Sequence, residues 1–187
     1  MNTPSHLVIN LAILRRPQLG PWPILLGAIV PDAAIFIFFG WAQWGQRLPP
    51  ETIWREAYYE PFWQNIFAVG NSIPFAAIGL LLCYRLKRRW AMVFFASMLL
   101  HQLADLPLHH DDAHRHFWPL SELRIISPVS YWDPDHFGRL GAGLETCLVV
   151  LASVFLWGRV RSHLGRGLLL LTSLVLMGLY MGFYLIP

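Results

Sequence analysis

Charged residues are scarce in this sequence of 187 residues. Asp, Glu, Lys and Arg make up 13% of the chain, about half of their share in soluble domains, whereas 56% of the residues are hydrophobic. One small core does not need so many apolar residues, so we expect a surface that faces lipid. The net charge of +3 comes from basic clusters in short loops between apolar runs, which favours membrane orientation over nucleic-acid binding.

Cysteine is rare, and common catalytic motifs are missing. The two cysteines, Cys83 and Cys147, lie in separate apolar runs, which indicates buried thiols and neither a disulfide nor a zinc-finger pattern. The sequence has no Gly-rich phosphate loop and no Ser-His-Asp arrangement, which argues against a nucleotide enzyme or a serine hydrolase.

Long apolar runs predict an all-α, polytopic membrane helix bundle that forms one integral-membrane domain over residues 1–187. About five runs are predicted to span the membrane: Trp22 to Trp44, Ile66 to Tyr84, Trp90 to Leu106, Leu140 to Gly158 and Gly167 to Ile186. A helix from Thr3 to Leu14 precedes them. It is too short to cross a bilayer, which takes about 20 residues, and Thr3 or Ser5 can cap it.

Basic residues predict the orientation of these spans. They cluster in three short segments, residues 15–16, 85–89 and 159–166, which we expect on the cytoplasmic side. The polar segment 107–138, rich in His and Asp, then lies on the opposite side. The predicted location is the inner (cell) membrane, with the polar site facing the periplasm or the cell exterior.

Four ionisable residues lie inside the predicted spans, where such groups are costly and usually functional: Asp32, His101, Asp105 and Glu145. Counted at about 1.5 Å per residue from the basic ends, these residues and His6 lie at depths of roughly 14 to 23 Å. Since the spans contain no Lys or Arg, a divalent metal is the expected source of the missing positive charge. Simple pairing of Glu145 and helix capping by Asp32 stay open as alternatives.

The stretch from His101 to His116 reads HQLADLPLHHDDAHRH and holds the densest group of possible ligands. His101 and Asp105 are four residues apart, so they share one helix face. The further candidate ligands are His109, His110, Asp111 and His114. Imidazole with carboxylate is the ligand set of zinc, and it also suits manganese or iron. Asp105 and Asp112 are the candidate general bases, although a solvated polar loop or supporting contacts remain alternatives for part of the stretch.

A second polar motif, YWDPDHFG at residues 131–138, could complete the site, meet the substrate or form a rigid turn.

Three elements resemble the YdjM-type inner-membrane metal-dependent hydrolases: Ser5-His6, the segment from Gly27 to Asp32 (GAIVPD), and His101-x-x-x-Asp105. More distantly, His101-x-x-x-Asp105 followed by Pro107-Leu108-His109 looks like the zinc-dependent phospholipase C and nuclease group. These resemblances imply an all-helical fold with a metal site that uses His6, Asp32, His101 and Asp105. In the second group a late glutamate is a ligand, a role that Glu145 would fill.

The leading functional prediction is a membrane-embedded metal-dependent hydrolase that acts on a phosphoester or lipid-like substrate through a metal-activated water. The expected partners are membrane lipid and a small-molecule or lipid substrate, without nucleic acid. The alternative is a non-enzymatic membrane protein that binds or transports a divalent metal ion. A structural protein that docks a partner through its His and Asp residues ranks third, because it gives the intramembrane carboxylates no purpose.

Overall fold

The fold is all-α in the part of the chain that the computed structural model describes, residues 1–16 and 18–186. This confirms the predicted fold class. The helices are α1 (Thr3–Leu14), α2 (Trp22–Gly40), α3 (Pro50–Arg55), α4 (Pro61–Gly70), α5 (Ile73–Arg85), α6 (Arg89–Asp105), α7 (Gly138–Trp157) and α8 (His163–Tyr184). A π-helical turn over Trp41–Gly45 extends α2.

Several helical segments are long and apolar enough to cross a membrane, so this is a polytopic membrane protein. They are Trp22–Gly45, Pro61–Arg85, Gly138–Trp157 and His163–Tyr184. The remaining predicted span, Trp90 to Leu106, corresponds to α6, which has 17 residues and packs against α2 and α5. The last span begins four residues before its predicted start, because the hydroxyl of Ser162 accepts a hydrogen bond from the N–H of Gly165 and caps α8.

Helix α1 joins the two halves of the bundle. It contacts α2 and α6 on one side and α7 on the other. Val8 packs with Val149 of α7 and Leu169 of α8, whereas Asn10 donates hydrogen bonds to the carbonyl and hydroxyl oxygens of Ser97 of α6, both at 2.9 Å. A helix too short to span the membrane therefore has its apolar and polar residues buried on opposite sides.

Helices α2 and α6 approach each other closely at Gly27. A Cβ atom on this glycine would lie 2.2 Å from the carbonyl oxygen of Phe94 in α6, so only glycine fits there. The close approach lets Nδ1 of His101 donate a hydrogen bond to the backbone carbonyl of Ala28, 2.8 Å away. Backbone packing of α2 thus fixes a side chain of the candidate site.

The break between α4 and α5 anchors the polar segment that follows α6. The N–H of Ile73 donates to the carbonyl of His116 at 2.8 Å, and the hydroxyl of Ser72 donates to the carbonyl of Trp118 at 2.5 Å. In return, Nδ1 of His116 donates to the carbonyl of Asn71 at 3.1 Å. Backbone groups left free by the interruption are satisfied by the polar segment, as an interrupted membrane helix requires.

Two local predictions were wrong. Neither Thr3 nor Ser5 caps α1, which begins after Asn2 without a side-chain cap, because both hydroxyls lie inside the first turn and donate to carboxylates of other helices. The thiols are not buried either, since Cys83 is half-buried and Cys147 is exposed. Cys147 follows inward-facing Glu145 by two residues, a rotation of about 200° around α7, which places it on the outer surface.

Candidate metal centre

The candidate centre lies where α1, α2 and α6 meet. Helix α1 contributes His6, α2 contributes Asp32, and one face of α6 contributes His101 and Asp105. All of them are buried, with exposed fractions of 1% for His6, 9% for Asp32, 0% for His101 and 1% for Asp105. Three helices thus bring together residues that are up to 99 positions apart in the chain.

Ligand-type atoms of these side chains face one another at short range. Nε2 of His6 lies 2.9 Å from Oδ1 of Asp105, and Nε2 of His101 lies 3.1 Å from Oδ2 of the same carboxylate. Oδ1 of Asp32 lies 3.5 Å from Nε2 of His101. His6, His101 and Asp105 each offer one ligand atom, all within 4.8 Å of one another, a spacing that could hold a metal ion.

The orientation of His101 suits a ligand. Its Nδ1 donates to the carbonyl of Ala28, which leaves Nε2 with the lone pair in the neutral imidazole. Nε2 is buried and makes no hydrogen bond, although two carboxylates lie near it. Metal-binding histidines typically donate their other ring N–H to a carbonyl or carboxylate, as His101 does to Ala28.

The charges of the buried residues at the centre also favour a bound metal ion. In the described residues, no Lys or Arg side chain lies within 4.0 Å of Asp32 or Asp105. Asp105 is paired with the N-terminal ammonium of Met1 at 2.7 Å and with histidine rings, whereas Asp32 has only His101 and the neutral hydroxyl of Thr3 as partners, so one positive charge faces two carboxylates. Burying carboxylates at this depth is costly unless positive charge compensates. Two carboxylates and two imidazoles are an appropriate donor set for a divalent ion.

A second group of polar residues continues the site beyond the end of α6. Nε2 of His109 lies 3.4 Å from Oδ1 of Asp105, and Nδ1 of the same ring lies 3.0 Å from Oδ2 of Asp112. The ring of His114 lies beside that of His109, with centroids 5.2 Å apart. An unbroken row of imidazoles and carboxylates therefore runs outward from Asp105.

The charge states in this outer group follow from burial and contacts. Burial, followed by the neighbouring His109 and His116, lowers the pKa of His114 to about 3, so its imidazole is neutral. Burial by itself would raise the pKa of Asp112, but the hydrogen bond and charge of His109 outweigh burial and lower this pKa. Oδ1 of Asp112 is buried without a hydrogen-bond partner.

The remaining predicted ligands of the polar segment lie apart from this row. Nδ1 of His110 donates to the carbonyl of Ser127 at 2.5 Å, and its ring stacks on that of His136 with centroids 3.5 Å apart. Asp111 is exposed. His136 is held by Asp133 at 2.7 Å, a hydrogen bond that raises the pKa of the imidazole. The YWDPDHFG motif thus supports the segment through His110.

Glu145 is buried, as its predicted depth requires, and its hydrogen bonds go to α1. Oε1 accepts from the N–H of Asn2 at 2.8 Å, from the side-chain amide of Asn2 at 3.0 Å and from the hydroxyl of Ser5 at 2.5 Å. Ser5 directly precedes His6, so Glu145 fixes the part of α1 that carries the ligand.

The sequence analysis named Thr3 as a helix cap and Tyr131 only as part of the YWDPDHFG motif, and it did not predict their contacts in the site. The hydroxyl of Thr3 donates to Oδ2 of Asp32 at 2.5 Å, and the ring of Tyr131 lies 5.0 Å from that of His109. Thr3 precedes His6 by three residues, a spacing that puts both on one helix face and could have revealed it. No comparable local signal existed for Tyr131, because its position depends on how the polar segment folds back.

A cavity of about 800 Å³ adjoins the centre. Asp32, His109, Asp112 and His114 form its polar side, and aromatic residues including Trp54, Tyr58 and Trp132 form much of the rest. Tyr58 belongs to an aromatic cluster with Phe38 and Phe67 that links α2, α4 and the turn after α3. The polar row thus opens into a space large enough for a small molecule or a lipid head group.

The fold and the site together define an all-α membrane protein with a buried cluster of histidines and aspartates. No family model, curated protein or solved structure matches the chain. The resemblance to the membrane hydrolases, drawn from short motifs, therefore stays a prediction.

Proposed function

We propose that the protein is a membrane-embedded metal-dependent hydrolase whose metal, preferentially zinc, is held by His6, Asp32, His101 and Asp105. The observation that carries this proposal concerns His101. Its Nδ1 donates a hydrogen bond to the carbonyl of Ala28, and its buried Nε2 makes no hydrogen bond although the carboxylates of Asp32 and Asp105 lie near it. A divalent ion bound there would lower the pKa of a water molecule and neutralise charge on substrate oxygens.

Asp112 is the better of the two candidate general bases. Both oxygens of Asp105 lie within 3.1 Å of other polar atoms, which suits a ligand. Oδ1 of Asp112 has no partner, and the residue lines the cavity. His109 orients this carboxylate, which in our proposal accepts the proton of the attacking water.

The cavity walls support a phosphoester or lipid-like substrate. Ile35 and Phe36 of the spanning helix α2 line the cavity, and Phe36 is 56% exposed on the outer surface of the bundle. An amphiphile could therefore enter from the lipid phase with its polar end towards Asp112 and His114. Arg55 also lines the cavity; its exposed side chain lies 3.4 Å from Glu51, a weak surface pair that a negatively charged head group would displace.

Charge distribution supports an orientation with the site outside the cytoplasm of the cell membrane. The three basic segments, 15–16, 85–89 and 159–166, contain no Asp or Glu. Such segments favour the cytoplasmic side. The helix from Arg89 to Asp105 begins in one of them and ends at the centre, so the centre belongs to the opposite half of the membrane.

Packing beneath the centre favours hydrolysis over metal transport. Asn10 lies one turn below His6 and donates both hydrogen bonds of its amide to Ser97, whose hydroxyl in turn donates to the carbonyl of Ile24 at 2.7 Å. These buried hydrogen bonds hold α1, α2 and α6 together below the centre. In the described part of the chain, Asn10 and Ser97 fill the space below His6 with hydrogen bonds to each other and to the backbone, so in our proposal an ion reaches the centre from the cavity side.

Hydrolysis of p-nitrophenyl phosphate esters and of phosphatidic acid by the purified, zinc-loaded protein tests the proposal. We expect product release that a chelator abolishes and that Asp112→Asn reduces by about 100-fold, the usual range for a general base. Glu122→Gln is the matched control, because Glu122 lies on the same polar segment but contacts Arg115 at the surface. Equal rates for both variants would contradict Asp112 as the general base, and no hydrolysis by the metal-loaded protein would contradict a hydrolase.

A further inference from the structure

The basic end of the bundle contains a second concave site, a groove of about 460 Å³ between α1, α2 and the start of α8. Its floor is apolar and includes Leu7 and Leu11 of α1, Leu25 of α2 and Leu168 of α8. Leu168 is 53% exposed, so the groove opens onto the outer surface of the bundle, where lipid chains lie. It runs along the outer side of α1, and its arginines lie at the end of α1 away from the centre's polar segment.

Three arginines border this groove without a counter-charge. Arg15, Arg16 and Arg161 line it, and none of them forms an ion pair or a side-chain hydrogen bond within residues 1–16 and 18–186. Two neighbouring arginines differ, since Arg159 bonds to the carbonyl of Phe155 and Arg166 to that of Val160. The groove thus carries a concentrated positive charge that the described protein leaves uncompensated.

The start of α8 adds to this positive charge. Ser162 and Gly165 line the groove, and the Ser162 hydroxyl caps the N–H of Gly165. The first N–H groups of this 22-residue helix point away from its own carbonyls, and its macrodipole is positive at this end. A negatively charged oxygen between the arginines would face these groups as well.

We propose that this groove binds one anionic phospholipid of the adjoining membrane leaflet. The phosphate lies between Arg15, Arg16 and Arg161, and an acyl chain follows the leucine floor. The combination of an apolar floor with unpaired arginines matches an anionic lipid, because a free phosphate would leave the floor unused and a zwitterionic head group would bring a cation against the arginines. Trp22, 66% exposed at the groove, suits the membrane interface.

Native mass spectrometry of the full chain in detergent, titrated with dioleoyl-phosphatidylglycerol or dioleoyl-phosphatidylcholine, tests this site. We expect one phosphatidylglycerol adduct at a concentration about tenfold lower than the phosphatidylcholine adduct. The double variant Arg16→Gln, Arg161→Gln should abolish that preference. Arg85→Gln, Arg88→Gln is the charge-matched control, because it removes two positive charges from the same end of the bundle away from the groove, and it should keep the preference.

A second pair of variants tests the apolar floor with the arginines intact. Leu168→Trp fills the groove and should weaken the phosphatidylglycerol adduct about tenfold, whereas Leu171→Trp, on an exposed α8 position that does not line the groove, should leave it unchanged. Equal affinity for the two lipids, equal loss in groove and control variants, or complete displacement of the lipid by millimolar inorganic phosphate would overturn the proposal. Circular dichroism of each variant verifies that the helices are retained.

Discussion

The imidazole rings of His6 and His101 stack with their centroids 3.6 Å apart and their planes inclined by 15°. This contact joins the short helix α1 to the C-terminal part of α6, and both rings turn Nε2 towards Asp105. Two stacked rings whose Nε2 atoms face the same carboxylate form one side of a coordination site. The position of α1 therefore decides whether the centre exists.

The first prediction concerns Glu145, which holds the start of α1. Glu145→Ala should leave the hydrogen-bond donors of Asn2 and Ser5 without an acceptor, lower the free energy of unfolding by about 3 kcal/mol and lower the metal content. Glu145→Gln keeps an oxygen at the accepting position and should retain most of the metal. Thermal unfolding and elemental analysis of the same samples provide both readouts.

Thr146→Val is the control for these variants, because the Thr146 hydroxyl bonds only within α7, to the carbonyl of Ala142. If Glu145→Gln loses the metal as completely as Glu145→Ala does, Glu145 acts through its charge as a ligand rather than through its contacts with α1.

The second prediction concerns the close approach of α2 and α6. Gly27→Ala places a Cβ atom 2.2 Å from the carbonyl of Phe94 and should destabilise the bundle by about 1–3 kcal/mol, because the two helices must separate. Separation also pulls Ala28 from His101 and should reduce metal content. Gly178→Ala on α8 meets no atom within 4 Å and should be neutral or slightly stabilising. Equal melting temperatures for the two variants would contradict the packing described.

The third prediction concerns the break at Asn71. The side-chain amide of Asn71 donates to the backbone carbonyls of Pro31 and Phe67, both at 3.1 Å. The backbone carbonyl of Asn71 accepts a hydrogen bond from the ring of His116. Asn71→Ala should cost about 1–3 kcal/mol, since buried acceptors lose their donors. The control variant Gln46→Ala, at an exposed residue whose side chain makes no hydrogen bond within residues 1–16 and 18–186, should cost less than about 0.5 kcal/mol. Urea unfolding followed by tryptophan fluorescence measures both, and similar costs would show that the break has no anchoring role.

The fourth prediction concerns orientation in the membrane. An alkaline phosphatase reporter fused after Pro119 should be active if the polar segment lies outside the cytoplasm, as we propose, and a fusion at Arg88 should be inactive. Expression levels of the two fusions, measured by immunoblot, serve as the control. The reverse pattern of activity would place the candidate centre on the cytoplasmic side.

Local patterns were sufficient to predict the helices and the core of the site. Apolar runs located the spans within a few residues, and counting residues along them placed His6, Asp32, His101 and Asp105 at a common depth, where the structure brings their side chains into contact. Depth along a straight helix depends only on the rise per residue, so it can be read without knowing which helices are neighbours.

Contacts that depend on the path of the backbone could not be predicted. The turn at Pro107 directs His109 and Asp112 towards Asp105 and places His110 against Ser127, a choice that adjacent residues of similar chemistry do not reveal. The roles of Thr3 and Ser5 were missed for a related reason. Their hydroxyls could cap a helix or reach another one, and only the packing of α1 between α2 and α7 decides.

The metal content of the purified protein, measured by inductively coupled plasma mass spectrometry, tests the candidate centre most directly. We expect about one equivalent of zinc or another divalent transition metal in the unmodified protein, and less than about a tenth of that in His101→Ala and Asp105→Asn, because a lost ligand costs a structural or catalytic site most of its affinity. His163→Ala, which removes an exposed histidine at the basic end, should keep the full content. Equal metal content in all four proteins, or none in the unmodified protein, would contradict a metal centre at His6, Asp32, His101 and Asp105.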